Sequence, residues 1–98
     1  MTMSYEIKYD KTVLKTLNKL SKSAPKDFIR INSFLEEKLP SLENPCALKN
    51  AKYLKGYDDN RYRWRLGDYR IIGIVENNTF KLIQIIKIAK KRDENTYR

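Results

Sequence analysis

Residues 61–66 read Arg-Tyr-Arg-Trp-Arg-Leu. Strict alternation of this kind has one regular solution. In an extended strand, successive side chains point to opposite faces, so Arg61, Arg63 and Arg65 share one side while Tyr62, Trp64 and Leu66 share the other. The apolar half of the strand needs a cover, and the charged half needs water or an anion.

The neighbouring segments supply the cover. Gly67-Asp68 follows the strand and predicts a tight turn into a second strand, Tyr69–Glu76; Asn77-Asn78 predicts another turn into a third, Thr79–Ile88. Connections this short make an antiparallel meander. Upstream, Tyr5, Ile7 and Tyr9 alternate with Glu6 and Lys8 as a short strand. Asp10 stands at an N-cap position before Val13, Leu14, Leu17 and Leu20, which recur at helical spacing. A second helix starts near Pro25 and carries Phe28, Ile31, Phe34, Leu35 and Leu39, with Pro40 expected to stop it. The brief link at 21–24 makes the helices an antiparallel hairpin. Residues 41–60 are irregular; 47–54 reads equally as a helical turn or a loop. The order β-α-α-β-β-β, helices on one sheet face, is an α+β fold in a single domain spanning 1–98. On the third meander strand the spacing assigns Phe80, Leu82, Ile86 and Ile88 to the helix-facing side, interrupted by Gln84.

Charge narrows the function. The 98 residues carry 21 Lys+Arg against 12 Asp+Glu, a formal net charge of +9, and no histidine. The excess is local. Residues 47–70 hold seven bases and three acids, and 87–98 hold five and two, so these two segments account for +7 of the total. A field of this kind attracts polyanions and acidic partners. Arginines two apart on a strand sit about 7 Å from one another and repel. A solvated face is one reading; a phosphate-binding surface is the other, favoured because a mixed Lys/Glu face is usual and arginine offers a bidentate fork. Arg70, Lys52, Lys55, Lys90, Lys91 and Arg92 could join the same rim. Tyrosines 53, 57, 62, 69 and 97 lie in or beside these segments, and rings among cations suit unstacked bases. Tyr62 and Tyr69 are better read as core; Tyr97, in a polar tail, has the stronger functional claim. The single cysteine, Cys46, supports no internal disulfide and no zinc site, so no cofactor or metal is expected. No run approaches the ~18 apolar residues of a membrane span. The N-terminal residues lack a signal peptide's apolar stretch, so the expected location is cytoplasmic, without a membrane partner.

Leu54-Lys55-Gly56-Tyr57 and the run Tyr62-Arg63-Trp64-Arg65-Leu66-Gly67-Asp68-Tyr69-Arg70-Ile71-Ile72 resemble the RelE/ParE toxin superfamily of toxin–antitoxin modules, as does the tail from Ala89-Lys90-Lys91-Arg92 to Tyr97. The resemblance implies a ribosome-dependent, metal-independent endoribonuclease (an mRNA interferase) that cuts mRNA in the A site by 2′-hydroxyl attack and so inhibits translation. By position it implies catalytic roles for Arg63, Arg65, Arg70, Lys91 or Arg92, and Tyr97. Lys52, Lys55, Arg61 and Lys90 would bind RNA. Arg65 stands where RelE carries a lysine. The implied partners are an acidic cognate antitoxin, mRNA on the ribosome and ribosomal RNA. The free toxin would be a monomer that forms a hetero-oligomer with its antitoxin. The competing readings are a ParE-like DNA gyrase inhibitor and a non-catalytic basic RNA- or protein-binding module.

Overall fold

The computed structural model describes residues 5–77 and 81–90. Strand β1 (Glu6–Tyr9) leads into α1 (Lys11–Ser23) and α2 (Pro25–Ser33). A π-helical segment (Phe34–Lys38) and a last turn α3 (Leu39–Ser41) follow. Then come β2 (Ala51–Tyr53), β3 (Arg61–Leu66), β4 (Tyr69–Asn77) and β5 (Lys81–Lys90). The five strands form one sheet in the order β1-β5-β4-β3-β2, antiparallel except for β1 beside β5. The expected α+β architecture holds, with the helices on one face. Strand β2 is the element that pattern reading left open. Three residues are too few to show a period, and Ala51–Tyr53 is extended because it pairs with Tyr62–Trp64.

The helix pair ends differently from expectation. Pro40 does not stop the helix at its door: it is buried inside the final turn, and the helix runs on to Ser41. A proline lacks the N–H donor and presses on the carbonyl four residues back. The π-helical segment, in which Leu39 N–H donates to the Phe34 carbonyl, widens the turn just ahead of it. The Pro40 carbonyl then accepts from Tyr5 N–H at 3.1 Å, tying the helix end to the start of β1. Asp10 occupies the N-cap position of α1 but makes no side-chain cap; its Oδ1 instead accepts from Gln84 Nε2 at 2.6 Å, from strand to loop.

The core lies between helices and sheet. Val13, Leu17, Leu20, Ile31, Phe34, Leu35 and Leu39 meet Trp64, Tyr69, Ile71, Val75, Ile83, Ile85 and Ile88. Trp64 is fully buried and its indole Nε1 donates to the Pro45 carbonyl at 3.0 Å. Tyr69 is core as expected; its hydroxyl donates to Asp27 Oδ2 at 3.0 Å, and burial, then that carboxylate, push the phenol's pKa up. Tyr62 is half-buried and stacks on Trp64 on one side while meeting Tyr53 edge-on, 5.4 Å away, on the other. The β3–β4 turn has glycine first, Gly67 at φ +59°, with no other positive φ, the pattern of a type II′ hairpin.

The facing of β5 corrects the sequence reading. Leu82 and Ile86 are only half-buried, and the residues that reach the core are Ile83, Ile85 and Ile88; Phe80 lies outside the described residues. The cause is a β-bulge. Ile72 pairs with Lys87 but Gly73 pairs with Ile85, so Ile86 is an extra residue and the side-chain phase flips across it. An unbroken strand would have carried Ile83, Ile85 and then Lys87 to one face, driving a lysine into the core. The bulge sends Lys87 away and turns Ile88 inward. Gly73 sits at this break because there is no room for more: a Cβ there would lie 3.1 Å from Ile83 Cγ2 and from Trp64 Cζ3. Gly73→Ala is therefore expected to destabilise the fold by about 1–3 kcal/mol, the usual cost of overpacking, visible as a lower urea midpoint at unchanged slope.

Candidate functional site

Register decides what gathers on the far side of the sheet. Arg65 lies directly opposite Arg70 and Lys52 directly opposite Arg63. Like charges in cross-strand pairs are about 4.5–5.5 Å apart at Cβ and destabilise the sheet. Here two such pairs lie side by side. Beneath them the floor is apolar, with Ile72 3% and Ala89 6% exposed. The loop after β2 rises beside this face, anchored by Leu54 N–H donating to the Arg61 carbonyl at 2.9 Å, with Leu54 itself buried.

Loop and sheet enclose an open hollow of about 610 Å³. Lys52, Lys55, Arg63, Arg65 and Arg70 line it together with Leu54, Tyr57 and the edge residue Tyr53; among the described residues no acidic side chain does. Both ends of β3 are pinned by asparagine. Asn50 Nδ2 donates to the Arg65 carbonyl at 2.7 Å, and its own carbonyl accepts from Arg65 N–H at 3.0 Å and from Arg63 Nη1 at 3.4 Å. Asn60 does the same at the other end, exchanging bonds with the Val75 backbone. Arg63 Nε is buried and meets no acceptor among the described residues.

The residues named from sequence therefore divide. Arg63, Arg65, Arg70, Lys52 and Lys55 converge on the hollow. Arg61 shares their face but not the lining: its Nε and Nη2 bind Asp59 at 3.0 and 2.7 Å, and its guanidinium lies 4.0 Å from the centroid of the Tyr57 ring. The bond from Arg61 holds the Asp59 carboxyl below its usual pKa. Lys90 is not brought to the hollow either. It pairs with Tyr69, so its side chain leaves on the helix side, with Nζ 5.8 Å from the Tyr69 ring centroid. The bulge is the reason: it reverses which of Lys87 and Lys90 faces the arginines. Lys91, Arg92 and Tyr97 lie outside the described residues. Sequence reasoning missed Asn50 and Asp59 as the groups that hold this site; the Asp58-Asp59-Asn60 cluster signalled a turn but not its ion pair. Among the described residues no group of three or more His, Cys, Asp or Glu side chains assembles, and no helix is long and apolar enough to cross a membrane.

No protein-family model matches the sequence, and no curated protein matches it significantly. Solved structures do match in fold. One chain of the RelBE2 toxin–antitoxin complex from Mycobacterium tuberculosis is similar at a TM-score of 0.70 and 20% identity, over 89% of this chain and 98% of that one. One chain of the RelB–RelE antitoxin–toxin complex from Methanococcus jannaschii is similar at 0.57 and 25% identity, over 92% and 96%. The fold of this chain is thus one found in chains of toxin–antitoxin complexes, and the likeness extends over nearly the whole domain.

Proposed function

We propose that this chain is the toxin half of a toxin–antitoxin module, a cytoplasmic endoribonuclease that cleaves mRNA on the ribosome. The observation that carries the reading is the convergence of five cations on one hollow, with no acidic side chain among the described residues that line it and with like charges facing each other across the strands. A sheet bears that cost when an anion is to be held there. The fold likeness to chains of RelB–RelE complexes supports a toxin–antitoxin role, and net charge +9 favours the toxin side, since an acidic antitoxin complements it.

The chemistry follows from the groups present. The RNA's own 2′-oxygen forms the new bond to phosphorus, the bond from phosphorus to the 5′-oxygen breaks, and a cyclic phosphate and a 5′-hydroxyl remain. Charge builds on the non-bridging oxygens in the transition state, where planar guanidinium groups bind in pairs. Arg63, Arg65 and Arg70 suit this task, and the buried Arg63 Nε would find its acceptor in the phosphate. A delocalised guanidinium is a poor proton acceptor, so arginine orients and stabilises better than it abstracts. The 2′-proton and the leaving oxygen then fall to a lysine, to Lys91 or Arg92 of the tail, or to solvent, with Tyr97 stacking a base. Holding the message in line supplies much of the rate.

Purified protein, programmed ribosomes and an end-labelled message test this directly. The expected result is a single cut within the A-site codon, leaving a 5′-hydroxyl, and little cutting when ribosomes are omitted. An intact message alongside lost DNA supercoiling on induction would make the chain a gyrase inhibitor; an intact message with neither effect would make it a binding module.

A further inference from the structure

Tyr57 has no part in the phosphate chemistry above, yet its ring borders the hollow. Its setting is unusual for a loop tyrosine. Arg61 lies over one face of the ring at 4.0 Å from the centroid, and Arg61 is itself gripped by both carboxylate oxygens of Asp59. The three side chains form a brace, aspartate to arginine to tyrosine, all within one short loop and the first residue of β3. The brace fixes an aromatic plane beside a cluster of cations, removing the ordering cost that a free loop ring would carry into binding. It also takes Arg61 away from phosphate, which explains why Arg61, paired with Asp59, does not line the hollow.

We propose that Tyr57 is the platform on which a nucleobase of the bound strand stacks, and that Arg61 and Asp59 are its positioning residues; this rests on the RNA-binding reading of the hollow. A cavity of about 610 Å³ exceeds what a phosphate alone fills and falls in the range of nucleotide-sized sites. The base lies against the ring face turned away from Arg61, with its backbone phosphate on Arg63, Arg65 and Arg70. Every base has a π-face, so the platform registers that a base is present and leaves its identity to other contacts.

The test uses fluorescence anisotropy with two labelled five-unit probes. One is a 2′-O-methyl RNA, which cannot be cut, and the other is the same backbone without bases. Tyr57→Ala is expected to weaken the base-bearing probe about ten-fold, the loss of one stacked base, and to leave the abasic probe unchanged. Tyr57→Phe should restore wild-type binding. Asp59→Ala should lower only the base-dependent part of the affinity. Arg65→Ala should weaken both probes alike. Far-UV circular dichroism confirms that each variant is folded. If Tyr57→Ala weakens both probes equally, or neither, the platform is overturned while the phosphate reading stands. If the wild type binds neither probe, or Arg65→Ala changes nothing, the RNA reading fails and takes the platform with it. Tighter capture of a polyglutamate peptide than of RNA, lost in Tyr57→Ala, would assign the ring to a protein partner instead.

Discussion

Arg65→Ala should lower ribosome-dependent cleavage roughly 10²- to 10³-fold, the effect of removing one preorganised group that stabilises transition-state charge. The same change should leave the protein as stable as before or up to about 1 kcal/mol more stable. The second half of that expectation is what separates a functional arginine from a structural one. Arg65 is exposed and stands across the ladder from Arg70, so alanine removes a repulsion and loses little packing. A structural arginine would show the reverse: lower stability and a smaller, proportionate drop in activity. The measurement is single-turnover cleavage on programmed ribosomes, paired with a urea midpoint for the same preparation. Unimpaired cleavage by a variant that has become less stable would sink the assignment of Arg65 to the reacting phosphate.

Trp64→Ala is expected to cost about 3–5 kcal/mol, the range for emptying a fully buried aromatic site. A domain of this size has only about 5–15 kcal/mol to lose, so the variant should be largely unfolded at modest urea. Trp64 is fully buried, is stacked against Tyr62, and sits 3.1 Å from the position a Gly73 Cβ would take. Trp64→Phe is the informative companion. It keeps an aromatic ring in place but leaves the Pro45 carbonyl without its donor, and should cost about 1–3 kcal/mol. Unfolding must be followed by circular dichroism, because Trp64 is the chain's only tryptophan. A urea midpoint for Trp64→Ala close to wild type would mean that the core does not rest on this residue. Because Trp64 and Arg65 are successive residues on opposite faces of β3, the two variants separate the supports of the fold from the surface that the fold presents.

Much of this architecture was legible along the chain. The alternation in 61–66 assigned both faces of β3 correctly, down to the arginines on one and Trp64 on the other. Gly67-Asp68 announced its hairpin, and helical spacing found Val13, Leu17, Leu20 and Ile31 as core. The readings that failed share a cause. The facing of β5 was wrong ahead of and at the bulge and right only beyond it, at Ile88, because the run Leu82-Ile83-Gln84-Ile85-Ile86 carries apolar residues on both parities and no period to read. Strand β2 was too short to show one. Pro40 was taken as a stop because the π-helical widening that admits it depends on how the helix end packs under β1.

The same division runs through the site. Residue type and two-residue alternation are local, so the sheet face that would hold Arg63 and Arg65 could be named without coordinates. Pairing partners are not local. That Arg70 lies opposite Arg65, that Lys52 joins them from an unforeseen strand, that Lys90 departs to the helix side and that Arg61 turns to brace Tyr57 all follow from register and from one extra residue in β5. Those are properties of strands brought together from distant parts of the chain. They are settled by the requirement that one face of the sheet bury Trp64, Ile83, Ile85 and Ile88 together, and the arrangement of the cations on the other face follows from it.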